Sequence, residues 1–292
     1  MKTIYAIMLV LATVIFSLEA QQRGPCSFYW EFIAGASDIH VTNSADLKTH
    51  VPDMENRVRN RSYYYQIPVV ETLKGEKTDN IKIRIFLEQA FIDHVKSLPD
   101  DMRLIIFIIN SYAEYKNSDM DEFNNFLLGT DTKGILVCTD EVYGETVDEI
   151  RNQQVILSER LYETFLRNEA MDRKIKGLVD ELVIEEREMA AFEELLMIGR
   201  DAIPYIILYM DDYRELPIKY VRIIDDSPDA WEEWVHYGPK LVIDMLSILS
   251  GQLSRASFGF IHNGGTNEER QRALDGWRIY LYYLLAGSIQ LE

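Results

Sequence analysis

The hydrophobic pattern of this chain has three successive characters. Behind Lys2, Ile4 to Phe16 is an almost unbroken apolar run, and Leu18-Glu19-Ala20 ends it on a small residue. This is the pattern of a signal peptide over residues 1–20. A run of about 13 residues is too short to span a bilayer, and nothing later reaches the roughly 18 apolar residues a membrane helix needs. From 35 to 143 the period is two. Ser37 to Thr42 alternates, Tyr63 to Val70 is aromatic and β-branched, and Ile81 to Phe86 alternates strictly. Leu104 to Ile109 is continuously apolar, and Gly134 to Cys138 is a short further run. The spacing predicts five short strands, separated by turn chemistry at Lys74-Gly75-Glu76, Leu98 to Asp101 and Gly129 to Gly134. Pro68 cannot donate to a ladder, which predicts an edge position or a bulge there.

From about 150 the period becomes 3.6. Met189, Phe192, Leu195 and Leu196 form one stripe of a helix over 188–198, with Gly199 placed to end it. Ala202-Ile203-Pro204 opens a second helix, with proline in the first turn where a missing N–H costs little. It stops before Asp211-Asp212. Pro239 opens a third over 240–253. Thr266 followed by Glu269 is a capping box, predicting a last helix from Asn267 to about Leu285. Val155 to Leu166 suits either a strand or a helix, and 168–187 reads as a charged helix. The organisation predicted is therefore a signal peptide at 1–20, a strand domain at 21–150, a connector at 151–187 and a helical domain at 188–292.

Composition adds compartment and charge. The chain of 292 residues is 47% apolar and 27% charged, with a formal charge of −18, and cleavage after Ala20 would leave about 272 residues. Residues 21–150 hold 13 basic and 22 acidic side chains and residues 151–292 hold 16 and 25, so the acidity is spread and is not a tail. Such a field repels nucleic acid and anionic lipid. An exported protein meets an oxidising compartment, where its two cysteines, Cys26 and Cys138, are expected to pair. That bridge would close a loop worth roughly 4–5 kcal/mol in the chain-entropy model. Two buried free thiols are the alternative reading. Two cysteines without a nearby histidine pair fall short of a zinc site.

A family resemblance enters on particular residues. Cys26-Ser27, the strand Ala36 to Val41, the strand Tyr65 to Val70 running through Glu71-Thr72 into Leu73-Lys74-Gly75, Ile81 to Phe86, Leu104 to Ile109 and Cys138-Thr139 resemble the netrin-like domain. That domain is an OB-type barrel also found in tissue inhibitors of metalloproteinases. The resemblance covers roughly 26–145. It implies a five-stranded barrel with a Cys26–Cys138 bridge tying the N-terminal segment to the last strand. The inhibitors use an N-terminal cysteine to reach zinc, whereas here Gln21 would come first and Cys26 would follow five residues, so that mechanism does not carry over. Gly199 to Ile207 with Asp211-Asp212 is similar to the turn and second helix of HEAT-type repeats. Asp244 to Leu253, Ser257 to Gly259 and Gly276 to Arg278 are similar to the closing part of exported bacterial proteins of unknown role.

Candidate chemistry is sparse. Phe258 to Thr266 is a Gly-rich loop feeding a helix start. Its backbone N–H groups could meet an anion, with His262, Asn263 and Arg270 adding polar contacts, or it could be a tight Asn-Gly-Gly connection. Trp231, Trp234, His236 and Tyr237 lie between two helices. Trp231 and Trp234 would share a helical face that either lines a groove for a peptide or glycan or covers the core. Asp211-Asp212 and Asp225-Asp226 read as solvated helix ends, without a calcium-loop pattern. Glu185, Glu186, Glu193 and Glu194 read as an exposed helical face. The five histidines are scattered, and no nucleophile, base and orienter assemble from spacing.

The expectation is thus an α+β protein: an OB-type, netrin-like barrel followed by a HEAT-like helical domain. It is exported, periplasmic or extracellular, and binds an unknown protein, peptide or glycan. No cofactor, metal, nucleic-acid partner or membrane span is expected. One alternative is an exported hydrolase with His236 or His262 and nearby acids between the domains; another is a tissue-inhibitor-type protease inhibitor exposing Cys26.

Overall fold

The computed structural model describes residues 30–50, 63–85, 93, 95–110, 125–127, 134–165, 167–224, 234–259 and 261–289. The predicted signal peptide, Cys26, Asp225-Asp226 and Trp231 lie outside these residues. The chain is a mixed α+β protein that divides into two compact units, one ending at Gln154 and one running from Val155.

In the first unit, α1 (Trp30–Gly35) leads into β1 (Asp38–Asn43), α2 (Ser44–His50), β2 (Tyr63–Pro68), β3 (Glu71–Lys74) and β4 (Asn80–Ile85). Then come β5 (Arg103–Asn110), β6 (Asn125–Leu127), β7 (Ile135–Val137) and α3 (Asp140–Ser158), within which the unit boundary falls. The strands form one sheet in the order β2-β4-β6-β5-β1-β3, with β7 also pairing β5. All pairings are antiparallel except β4 with β6.

β5, which pairs with β1, β6 and β7, is the centre of this unit. Leu104, Ile106 and Ile108 pack with Ile67, Ile81, Leu47 and Ile135 on one face. Ile105 and Phe107 pack with Ile39, Val41, Ile33 and Ile150 on the other, so α1 and α3 cover that side. A strand buried on both faces must be apolar throughout, which is why Leu104 to Ile109 shows no polar alternation.

The pattern predicts five strands and the sheet has seven. The strand predicted over Tyr63 to Val70 ends at Pro68 and is followed by a separate strand, β3, and β6, three residues with one aromatic, carries too little periodicity to read. Pro68 ends β2, as a residue without a ladder N–H must. The chain then leaves β4 for β1: Val69 N–H bonds Asp79 O at 2.9 Å and Val70 N–H bonds Val41 O at 2.8 Å. A bulge accompanies the switch, with the β1–β3 register shifting between Ile39 and His40. The two ends of the strand order, β2 and β3, are thus consecutive in the chain. Among the described residues the hydrogen-bonded order does not close into the ring that the resemblance implies.

The second unit holds a 3₁₀ turn (Leu161–Glu163), α4 (Glu169–Glu181), α5 (Glu188–Ile198), a second 3₁₀ turn (Gly199–Ala202) and α6 (Ile203–Leu208). A hairpin follows, β8 (Val221–Ile224) with β9 (Trp234–Tyr237), then α7 (Val242–Ser254) and α8 (Asn267–Leu285). The ambiguous stretch from Val155 is helical to Ser158 and then turns. Asn168 caps α4 by accepting from the N–H groups of Ala170 and Met171 at 3.0 and 3.2 Å. Gly199 ends α5 with φ of 75°, a value that favours glycine. Trp277, fully buried on α8, stacks edge-on against Phe258 and Tyr280 at 5.0 and 5.6 Å, and its indole N–H donates to Ser247 Oγ at 3.1 Å. The hairpin corrects the reading of Trp234 as part of a helical face: β9 is extended and pairs Tyr237 with Val221 and His236 with Arg222.

Gly75, in the turn from β3 to β4, has φ of 94°, and a Cβ there would lie 1.8 Å from Asp38 Oδ1. That carboxylate accepts from Glu76 N–H at 3.3 Å, so it would have to swing away from its bond. Gly75→Ala is expected to lower stability by about 1–2 kcal/mol from the positive φ alone. Urea unfolding followed by fluorescence checks this, and an unchanged midpoint would contradict it.

Candidate functional site

Four of the candidate residues of the second unit, Tyr237, His262, Asn263 and Arg270, converge on the starts of α7 and α8. Asp244 sits at the third position of α7 and Arg270 in the first turn of α8; their side chains are 0% and 7% exposed. Arg270 Nε donates to Asp244 Oδ1 at 2.8 Å and Arg270 Nη2 to Oδ2 at 2.9 Å. The third guanidinium nitrogen, Nη1, donates to Gly265 O at 2.5 Å. Asp244 Oδ2 also accepts the N–H groups of Lys240 and Leu241, both at 3.0 Å. This is half of a capping box, because Leu241 has no side-chain acceptor with which to reciprocate. The carboxylate therefore receives four donors, and every nitrogen of the guanidinium has an acceptor.

The Gly-rich loop is built around this pair. Thr266 Oγ1 accepts Glu269 N–H at 3.2 Å while the Glu269 carboxylate accepts Thr266 N–H at 2.7 Å, the capping box that the sequence predicts. Gly264 has φ of 86°. Asn263 Oδ1 accepts Gly238 N–H at 2.7 Å, fixing the loop to the exit of β9. The His262 ring lies against the Tyr237 ring at 5.0 Å. Burial pushes the His262 pKa below its usual 6.5, and the nearby Asp244 carboxylate only partly opposes this. His262 is thus kept neutral near pH 7.

Tyr237, His262, Asn263 and Arg270 are brought together. His236 is not: it is exposed, opposite Arg222 on the outward face of the hairpin, while Val221 and Ile223 on the other face are buried. Trp234 begins β9, and Trp231 lies outside the described residues. An anion at the start of α8 would compete with Glu269 for the Thr266 N–H, and Arg270 is buried and engaged. Asp244 is the residue that sequence reasoning missed. Its one signal is a lone acid within the apolar run Leu241 to Leu249.

The remaining candidates are also paired. Asp211 meets Arg278 Nη2 at 3.2 Å, and Asp212 holds Arg214, which also reaches Asp180 at 2.9 Å. Among the described residues no group of three His, Cys, Asp or Glu side chains is placed to hold a metal ion, and no helix is long and apolar enough to cross a membrane. Cys138 is half-buried and lies in no disulfide among the described residues, and burial pushes its thiol pKa up, with Arg103 pulling the other way; Cys26, the only other cysteine, is outside the described residues.

Removing one partner of a buried pair leaves an uncompensated charge. Asp244→Ala is expected to cost about 3–5 kcal/mol of stability in urea unfolding. Asp244→Leu with Arg270→Met should recover all but roughly the 1 kcal/mol of the lost helix cap. A double variant as unstable as the single would contradict this reading. For His262 the folded state disfavours the proton, so its contribution is intact above pH 6.5 and is lost as pH falls below that value. His262→Gln is expected to flatten the fall in melting temperature between pH 7 and pH 5. An unchanged slope would contradict the assignment.

Comparison of the chain with protein-family models, with curated proteins and with solved structures finds no match.

Proposed function

We propose that this is an exported, non-catalytic interaction protein, with an OB-type, netrin-like barrel up to about residue 150 and a HEAT-like helical domain after it. The observation that carries the reading is the commitment of polar groups around the α7 and α8 starts. Asp244, Arg270, Asn263, Thr266 and Glu269 each hold a loop or a helix end. A general base needs a lone pair free to accept a proton from substrate, and the carboxylates of Asp244 and Glu269 here accept hydrogen bonds from the scaffold.

The barrel reading has topological support. The two open ends of the strand order belong to one bent segment, 63–74, and the single parallel pair, β4 with β6, is the one an OB-type order requires. The helical reading is supported by the packing of α4 on α5 and of α6 on α7 and α8. Spread negative charge favours a cationic or neutral partner over nucleic acid. The exposed side chain of His236 remains available to a protein, peptide or glycan. The rival hydrolase reading has one observation on its side, the neutral imidazole of His262, but the acid that acts on it, Asp244, is held by Arg270.

The purified exported chain, His262→Ala and His236→Ala are to be assayed against ester, phosphate, glycoside and peptide substrates. The expected outcome is no turnover above buffer in any of the three. Robust turnover abolished by either substitution would overturn the reading in favour of a hydrolase. Intact mass with and without reductant and alkylation tests export and the bridge. A mass beginning at Gln21, with both cysteines protected until reduction, is expected. A mass beginning at Cys26 would revive protease inhibition, and two free thiols would remove the bridge.

A further inference from the structure

The helical unit carries an unusual outer face on α5. Ala191, Phe192 and Leu195 are buried, and α5 packs on α4, on the turn after it and on α7. The opposite side is bare among the described residues: Met189, Ala190, Glu193 and Met197 are all exposed. Residues 189, 193 and 197 follow one another at i, i+4 and i+8 and therefore form a single ridge. Met189 is 39% and Met197 79% exposed, and Ile184, in the turn before the helix, is 43% exposed. Solvent-facing methionine and isoleucine in one short stretch gain nothing from water.

The same stretch is strongly acidic. Residues 181–197 hold six glutamates and one arginine. Arg187 pairs with Glu181 at 3.5 Å, and Lys174, from α4, pairs with Glu194 at 2.8 Å. Glu185, Glu186 and Glu193 are exposed and have no ion pair among the described residues. The carbonyl end of α5, beside Met197, adds negative potential. Flexible methionine side chains adapt to irregular apolar partners, and carboxylates among them select the sign of the partner's charge.

We propose that the Met189–Glu193–Met197 ridge, with Ile184, Glu185 and Glu186, is a docking site for a basic amphipathic helix. The proposal deepens the interaction reading above and rests on it. Such a partner lays apolar residues at i, i+3 or i+4 and i+7 along the ridge and places lysine or arginine against the glutamates. Acidic helices, anionic membranes and nucleic acid are repelled from the same face.

The test uses the full chain with ¹³C-methyl-labelled methionine and two 18-residue helical peptides. Both have leucine on one face; the other face is all lysine in one and all glutamate in the other. With the leucine–lysine peptide, the Met189 and Met197 methyl signals are expected to shift and saturate, and the apparent Kd to weaken at least tenfold from 50 to 500 mM NaCl. Glu185→Lys with Glu186→Lys and Glu193→Lys is expected to weaken binding at least tenfold without lowering Tm, because all three side chains are exposed. Met189→Ser with Met197→Ser should do the same. Unmoved methyl signals, equal binding of the leucine–glutamate peptide or unchanged binding by the charge-reversed chain would each overturn the proposal. A peptide that shifts signals around Tyr237 and Asn263 instead would overturn this surface while leaving the interaction reading standing. Turnover in the substrate assays would remove that reading, whatever the methyl signals show.

Discussion

The helical unit depends on one buried ion pair. Removing a carboxylate and a guanidinium from water costs several kcal/mol each, and only a geometry that satisfies nearly every polar atom offsets that cost. Asp244 and Arg270 meet the condition, with two parallel bonds between them and further bonds to Gly265 O and to the N–H groups of Lys240 and Leu241. The pair joins the start of α7, the Gly-rich loop and the start of α8. Once these three are fixed, the ring of His262 is set against Tyr237 and Asn263 is set to receive Gly238 N–H. What reads along the chain as a cluster of reactive residues is a set of fastenings around one salt bridge.

The strand unit is organised by a different constraint. Because β5 is buried on both faces, it must have cores on both sides. One is supplied by strands with Leu47 of α2, the other by α1 and α3 over β1 and β5. The chain between β2 and β3 changes partner at Val69-Val70, where proline has just ended one ladder. Gly75 then turns the chain back with a backbone conformation that other residues resist. These local rules carry the bent strand from β4 to β1.

The parts of this architecture that were legible in the sequence are those set by local physics. Alternation marked β1 and β4, an aromatic and β-branched stretch marked β2, and apolar runs marked β5 and β7; Gly199, Pro204 and the Thr266–Glu269 box marked helix ends to within a residue or two of their places. Long-range partnerships were not legible. Asp244 and Arg270 are 26 residues apart, and no spacing rule connects an acid at one helix start to an arginine at another. The β8–β9 hairpin offers only four residues per strand, too few to distinguish alternation from a helical pair such as Trp231 and Trp234. Of the candidate residues, Tyr237, His262, Asn263 and Arg270 do meet, but burial and bonding, invisible in a string of letters, turn Arg270 from a ligand-binding group into an anchor. The glutamates at 185, 186 and 193 were readable as an exposed face. Met189, between them, looked like part of a core stripe, because periodicity alone does not distinguish a face that is covered from one that is bare.

The scaffold role of the buried pair is tested most directly by native-state hydrogen exchange at the Leu241 amide, the Thr266 amide and the Arg270 Nε–H. If the polar constellation is the scaffold of the helical unit, all three exchange only through opening of that unit, with protection equal to that of the core amides of α7. Rapid exchange at Arg270 Nε–H or Leu241, while the α7 core stays protected, would mean that the pair opens freely in the native state. Its groups would then be available for chemistry, and the pair would not be the fastening on which the helical unit depends.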